Sequence, residues 1–156
     1  MRYKGLTVVE ILVILSVLAL VLTLAGSSLL GFRRQLTLED AANTLSQDIQ
    51  TCRTEALSKA RNCRIRFTGE HTYVVETGGG SGYTILTSRN LPGFLTISSP
   101  TAGSWLEFDP RTVLTPSPGF PTVGPGANAP EIKLTNGSKT LRLVISMVGA
   151  VKTVWQ

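Results

Sequence analysis

Between residues 6 and 31, LTVVEILVILSVLALVLTLAGSSLLG, Glu10 is the only ionisable side chain. A carboxylate at mid-bilayer costs about 2.5 to 3.5 kcal/mol, and less near the interface, so it persists by finding a cation or a wet position. A second group is cationic: Arg53, Lys59, Arg61, Arg64 and Arg66 crowd residues 53–66, where Glu55 is the single acid. Such a cluster can meet phosphates, with affinity falling steeply as salt rises; it can equally be a solvated face or meet acids on a neighbouring protein. The parts of an enzyme are missing. There is no Gly-x-Ser-x-Gly elbow and no nucleotide-binding glycine loop. His71, the only imidazole, has no nucleophile or orienting acid at a catalytic spacing and reads as a solvated turn residue. With two cysteines besides, neither a multi-cysteine metal site nor a disulfide framework can be built, and no cofactor is expected.

The elements that position these groups follow from periodicity. The chain has 156 residues, 42% hydrophobic and 16% charged, with a formal charge of +5 and a mean hydropathy of +0.18. This excludes low-hydrophobicity disorder and two large domains. Residues 6–31 would give about 39 Å of helix, enough to span a bilayer core of about 30 Å. Leu38, Ala42, Leu45, Ile49, Cys52, Ala56 and Ala60 then recur at steps of three and four, the stripe of an amphipathic helix. No proline precedes Pro92, so the spacing predicts one helix from about Leu6 to Arg61. It would be about 84 Å long, with half lying outside any domain.

From Asn62 the period becomes two. Cys63, Ile65 and Phe67 alternate with Arg64 and Arg66, which then project from one solvent-facing side of a strand. Further strands are expected at 73–75, 83–87, 94–98, 105–108, 131–135, 139–146 and 150–155. Asn136-Gly137 suggests a type I′ hairpin, Asp109-Pro110 suggests turn chemistry, and five of the eight prolines fall in a surface loop at 115–130. If the helix reaches residue 61, Cys52 and Cys63 have Cα atoms more than about 10 Å apart, beyond the roughly 7 Å limit for a bridge. Two buried thiols are expected, whereas a helix break near Leu57 would favour a disulfide.

The opening Lys4-Gly5-Leu6-Thr7-Val8-Val9-Glu10, followed by an unbroken apolar helix, resembles a type IV prepilin or type II secretion pseudopilin. The segments LSQDIQTCRTEAL at 45–57, LEFDPR at 106–111 and LVIS at 143–146 with Gly149 resemble the GspH/FimT minor pilins. The resemblance implies cleavage after Gly5 by a prepilin peptidase and methylation of Leu6, which stands where mature pilins usually begin with Phe. Losing Arg2 and Lys4 would lower the formal charge by two. The new Leu6 amine could pair with Glu10 of a neighbouring subunit and fix axial register, since sliding would leave a charge unpaired in a low-dielectric place. A headgroup-solvated Glu10 is the alternative. Partners implied are other pilin or pseudopilin subunits, the peptidase and an inner-membrane assembly platform.

The expected architecture is therefore α+β. A leader at 1–5 precedes a transmembrane or filament-core helix at 6–31. A soluble pilin domain at 32–156 packs the amphipathic half of the helix on antiparallel sheet. The location expected is the bacterial inner membrane, single-pass, with the C-terminal domain outside the cytoplasm. The function expected is that of a minor pilin or pseudopilin in a type IV pilus, competence pseudopilus or type II secretion pseudopilus. The alternative is a DNA receptor for natural transformation. Some FimT-type pilins bind DNA through a C-terminal Gly-Arg-x-Arg, where this chain has Gly149-Ala150-Val151-Lys152, so Lys152 and Arg142 join the five cations above as DNA-binding candidates. A third reading is a single-pass anchored domain that is never processed.

Overall fold

A single helix, α1 (Val8–Lys59), opens the described chain. The structure, a computed structural model, describes residues 7–80, 82–111, 113–124 and 129–156, with the side chains of 24–30 outside the description. It divides into two units, Met1–Leu36 and Thr37–Gln156. In the first, Thr7 caps the helix: its Oγ1 accepts the Glu10 N–H at 3.3 Å, and its carbonyl accepts the Ile11 N–H at 3.2 Å. Thr7-Val8-Val9-Glu10 is a capping-box sequence, in which the hydroxyl satisfies an amide of the first turn and an acid sits at the positive end of the helix dipole. Among the described residues no helix is long and apolar enough to cross a membrane.

In the second unit the stripe is buried as its spacing requires. Leu38, Ala42, Leu45, Ile49, Cys52 and Ala56 are all at most 1% exposed. The strands follow: β1 (Asn62–Phe67), β2 (Thr72–Gly79), β3 (Gly82–Asn90), β4 (Thr96–Ser99), β5 (Trp105–Phe108), β6 (Leu114–Pro116), β7 (Thr122–Val123), β8 (Ala129–Thr135), β9 (Thr140–Ile145) and β10 (Val151–Trp155). They form two antiparallel sheets, ordered β3-β2-β1-β5-β6 and β10-β9-β8-β4, with β7 also on β8. Period-two alternation turns Cys63, Ile65, Phe67, Leu106, Phe108, Ile132, Leu134, Leu141, Leu143 and Ile145 into one core with the helix stripe. A side chain such as Phe67 gains roughly 1.5 to 3 kcal/mol from that burial.

The expected pair of thiols is corrected: Cys52 and Cys63 form a disulfide, with Cα atoms 5.4 Å apart. The stripe ends at Ala56. Ala60 is exposed and takes a left-handed φ of 51°, a conformation usual for glycine at helix ends. The chain reverses there and enters β1 two residues later, so the strand returns beside the helix and brings Cys63 to Cys52. The mistaken assumption was a helix persisting to residue 61: it ends at Lys59.

Other expectations shift at turns. The Asn136 N–H bonds the Lys139 carbonyl at 3.1 Å, which makes Gly137 and Ser138 the central pair. Gly137 alone of the two has positive φ, +87°, and Asn136 has none, so this is not the type I′ turn, which requires positive φ at both central residues. Asn136 Oδ1 instead accepts the amides of Ser138 and Lys139. Asp109 does supply turn chemistry, its Oδ1 accepting the amides of Arg111 and Val113 at 2.9 and 2.8 Å. His71 is not merely solvated: it is half-buried, and its Nδ1 lies 2.6 Å from the Leu95 carbonyl. The proline-rich segment holds β6 and β7, and Phe120 tucks in against Phe67 with ring centroids 6.1 Å apart.

Candidate functional site

The N-terminal group begins outside the described residues, where Gly5 and Leu6 lie. Glu10 is exposed and its carboxylate has no partner among the described residues. It shares the helix with an uncovered apolar surface. Val8, Val9, Ile11, Leu12, Val13, Ile14, Leu15, Val17, Leu18, Leu20, Val21 and Leu22 are between 46% and 75% exposed. Soluble monomers rarely expose so large a contiguous patch. The two hydroxyls within it are turned inward on the helix: Ser16 Oγ donates to the Val13 carbonyl and Thr23 Oγ1 to the Leu20 carbonyl, each at 2.8 Å. These bonds leave no hydroxyl hydrogen seeking water, as an apolar environment requires.

The basic residues are brought together only in part. Arg64 and Arg66 do share the outer face of β1, but both converge on Glu76 of β2. Arg64 Nε is 2.7 Å and Arg66 Nη2 is 2.6 Å from its carboxylate, whose side chain is 4% exposed. The register places Arg64 directly opposite Glu76 and Arg66 diagonally beside it. The Arg64 guanidinium also lies 3.5 Å from the Tyr83 ring centroid, and the Tyr83 hydroxyl donates to Glu107, which accepts Asn62 Nδ2 at 2.8 Å as well. Burial pulls the Glu76 carboxyl upward, but the hydrogen bonds and charges of Arg66 and Arg64 outweigh it and hold the group below the ordinary glutamate value. Burial, reinforced by Glu107, raises Tyr83 above an ordinary phenol.

Lys59 pairs with Glu55 at 2.7 Å, and Arg142 with Glu131 at 2.5 Å. Arg53, Arg61 and Lys152 have no ion pair among the described residues. Arg53 lies against Gly149, where a Cβ would come 3.2 Å from its Cδ; Lys152 projects from β10. The seven cationic candidates are thus dispersed over helix, link and three strands, and four are already matched by acids.

A polar group that periodicity did not reveal ties α1 to the first sheet. Asp48, 8% exposed, accepts the Tyr73 hydroxyl at 2.8 Å and both Nε and Nη2 of Arg89 at 3.0 and 3.1 Å. Desolvation first, and the bond to Asp48 second, push Tyr73 far above the ordinary phenol value. Glu76 was missed, although extending the alternation of the next strand by one residue gives it outward parity; Asp48 carried no local signal, because its partners lie on β2 and β3. Among the described residues no group of histidine, cysteine and acidic side chains could hold a metal ion.

This architecture, a long helix whose apolar stripe closes two antiparallel sheets, is shared with solved structures of a minor pilin and a minor pseudopilin. The chain is similar to the minor pilin FimU of Pseudomonas aeruginosa, with a TM-score of 0.59 at 19% identity over 79% of this chain and 92% of that one. A second crystal form of FimU gives 0.55 at 19% identity over 74% and 91%. It is likewise similar to the minor pseudopilin EpsH from the type 2 secretion system of Vibrio cholerae, with 0.55 at 10% identity over 75% and 95%. No family model and no curated protein matches the chain.

Proposed function

We propose that the chain is a minor pilin or pseudopilin subunit, a structural protein that is cut after Gly5 by a prepilin peptidase and methylated at Leu6. It is held in the bacterial inner membrane by residues 6–31, with its sheet domain on the extracytoplasmic side, until an assembly platform draws it into a type IV pilus, competence pseudopilus or type II secretion pseudopilus. The observation that carries this reading is the uncovered apolar surface from Val8 to Leu22. In water it would drive association, whereas lipid or the helices of neighbouring subunits cover it without exposing it during transfer. The disulfide supports the extracytoplasmic placement, since such bonds persist in oxidising compartments.

Glu10 is the residue that fixes register, by pairing with the Leu6 amine of an adjoining subunit. Within its own chain its backbone N–H helps start the helix by bonding Thr7 Oγ1, and its carboxylate is left exposed for a partner. A DNA receptor has less to rest on, because Lys59, Arg64, Arg66 and Arg142 are matched by acids. Mass spectrometry of the membrane-extracted protein tests the proposal. A chain beginning at methylated Leu6 is expected, and a chain retaining Met1 to Gly5 refutes it in favour of a plain anchored domain. Glu10→Ala is expected to leave cleavage intact and reduce incorporation into filaments; normal incorporation removes the register role.

A further inference from the structure

The turn between β9 and β10 is clamped from several sides. Its Gly149 N–H donates to the Ser146 carbonyl and its Ser146 N–H to the Ala150 carbonyl, each at 2.8 Å, while Ser146 Oγ accepts the Ala150 amide at 3.0 Å. From α1, Gln50 Nε2 donates to the Gly149 carbonyl at 2.5 Å, and beside β6 the Leu114 N–H donates to the Met147 carbonyl at 3.3 Å. Turn centres are ordinarily filled by Gly, Asn, Asp, Ser or Pro. Here they are Met147 and Val148, 46% and 61% exposed, next to Val113 at 51%. Adjacent apolar side chains held in water on a fixed turn mark an interaction surface, and one that needs little ordering on docking. Two cations flank it. Arg53 lies against Gly149, and the Arg111 amide shares Asp109 Oδ1 with that of Val113; neither guanidinium has an ion pair among the described residues. With Asp109, the surface carries two cations and one acid.

A cavity of about 290 Å³ lies elsewhere on the same domain, lined by Asp40, Ala41 and Thr44 of α1 together with Arg89, Leu91 and Pro92. Ala41, Leu91 and Pro92 give it apolar lining, and Phe94, 41% exposed, stands two residues beyond Pro92. Arg89 is held by Asp48 through both Nε and Nη2, so its charge is matched. Asp40 is exposed and has no partner among the described residues. With Asp48, the cavity carries two acids and one cation, the reverse of the turn. Asp40 and Arg53 belong to one helix, and at 1.5 Å and about 100° per residue they stand about 20 Å and roughly 140° apart. No copy can bring its own turn to its own cavity.

We propose that the β9–β10 turn of one copy docks in this cavity on a second copy, with Met147 and Val148 against Leu91, Pro92 and Phe94 and with the arginines reaching Asp40. A second copy is the occupant because this chain carries both halves, an apolar turn with an unmatched positive charge and an apolar-lined cavity with an unmatched negative one. Burial of the turn supplies affinity, and the charges orient it. The two surfaces are unlike, so the contact is heterologous: each copy gives its turn to one neighbour and its cavity to another. This deepens the assembly reading and rests on it for the claim that copies meet; the two surfaces do not.

The test uses the full chain in detergent with a short bis-maleimide. The native cysteines are paired and buried, so only introduced thiols react. Copies carrying Val148→Cys, mixed with copies carrying Asn90→Cys in the cavity wall, are expected to give a cross-linked dimer, and neither is expected to give one alone. Asp40→Arg in the Asn90→Cys copy should keep the melting temperature, since Asp40 has no partner in its own chain, and cut the yield at least fivefold. Arg53→Glu with Arg111→Glu in the other copy should then restore at least half of it. Separately, Val148→Ser should leave the melting temperature in place while self-association measured by sedimentation falls at least tenfold. Absence of the mixed dimer overturns the proposal, as does a yield indifferent to Asp40→Arg or a folded Val148→Ser chain that associates like the parent. Failure of folded reversed arginines to restore the yield also overturns it. So does a dimer of Val148→Cys alone, which would be turn against turn, or cross-linking of Val148→Cys to some other protein in place of a second copy. If the reversed arginines prevent folding, the mixed dimer and Asp40→Arg decide. A processed chain without the mixed dimer sinks this inference only, and an unprocessed chain with it sinks only the functional reading.

Discussion

The Cys52–Cys63 bond gives a stability difference that can be worked from its place in the chain. It closes a loop with a sequence separation of 11, for which the chain-entropy relation gives about 2.8 kcal/mol at 25 °C. Both cysteines are fully buried, so reductant added to the folded protein reaches them slowly; equilibrium unfolding with reductant present throughout reads the bond correctly. With a urea dependence of about 1.5 kcal/mol per molar for a domain of this size, the midpoint should fall by roughly 2 M. The melting temperature should fall by roughly 10 °C. Cys52→Ala/Cys63→Ala should match the reduced parent, apart from packing lost with the sulfur atoms. Thiol titration in denaturant should find no reactive thiol before reduction and two after. Coincident unfolding curves with and without reductant, or two thiols in the untreated chain, refute the pairing and with it the reversal at Ala60.

Three further outcomes follow from the buried polar groups and one turn. Glu76→Gln leaves Arg64 and Arg66 converging on a neutral amide and should destabilise the domain by about 3 kcal/mol in urea unfolding. Because Glu76 titrates below its unfolded value, its contribution is complete above about pH 4.3 and is lost as pH falls through the lower folded value. The acid limb of stability against pH should therefore be shallower in Glu76→Gln than in the parent. Tyr73→Phe removes one hydrogen bond to Asp48 while Arg89 keeps the other two, so a loss of about 1.5 kcal/mol is expected, and in the parent the absorbance of Tyr73 should not titrate before alkaline unfolding. Gly149→Ala combines a φ of +79° with a Cβ 3.0 Å from the Phe108 ring; a loss exceeding about 1 kcal/mol is expected in the same assay.

How far the sequence could be read depends on whether a feature is periodic or a single event. The helix stripe from Leu38 to Ala56 and the alternation of Cys63, Ile65 and Phe67 are repeats, and each landed on its buried face. Ala60 is one residue whose left-handed backbone no repeat announces, and from it followed the mistaken distance between the cysteines. Gly137 illustrates the same limit: a glycine marks a turn, but which neighbour shares its centre is decided by the strand register on either side. The arginines of β1 were assigned the correct side, yet their partner was missed because β2 was expected to stop at Val75 and it continues through Glu76. At the N-terminus, Thr7 caps the helix through the Glu10 amide, a local feature that the reading of Glu10 as a lone carboxylate did not include.

The near-absence of a linker between α1 and β1 limits what lengths of chain the family of sequences compatible with this fold can have. Only Ala60 and Arg61 join the two elements. An insertion or deletion there that moved β1 by one register position would send Cys63, Ile65 and Phe67 to the solvent side and carry Arg64 and Arg66 into the core. Homologues that keep both cysteines should therefore hold their separation constant and place length variation elsewhere in the chain.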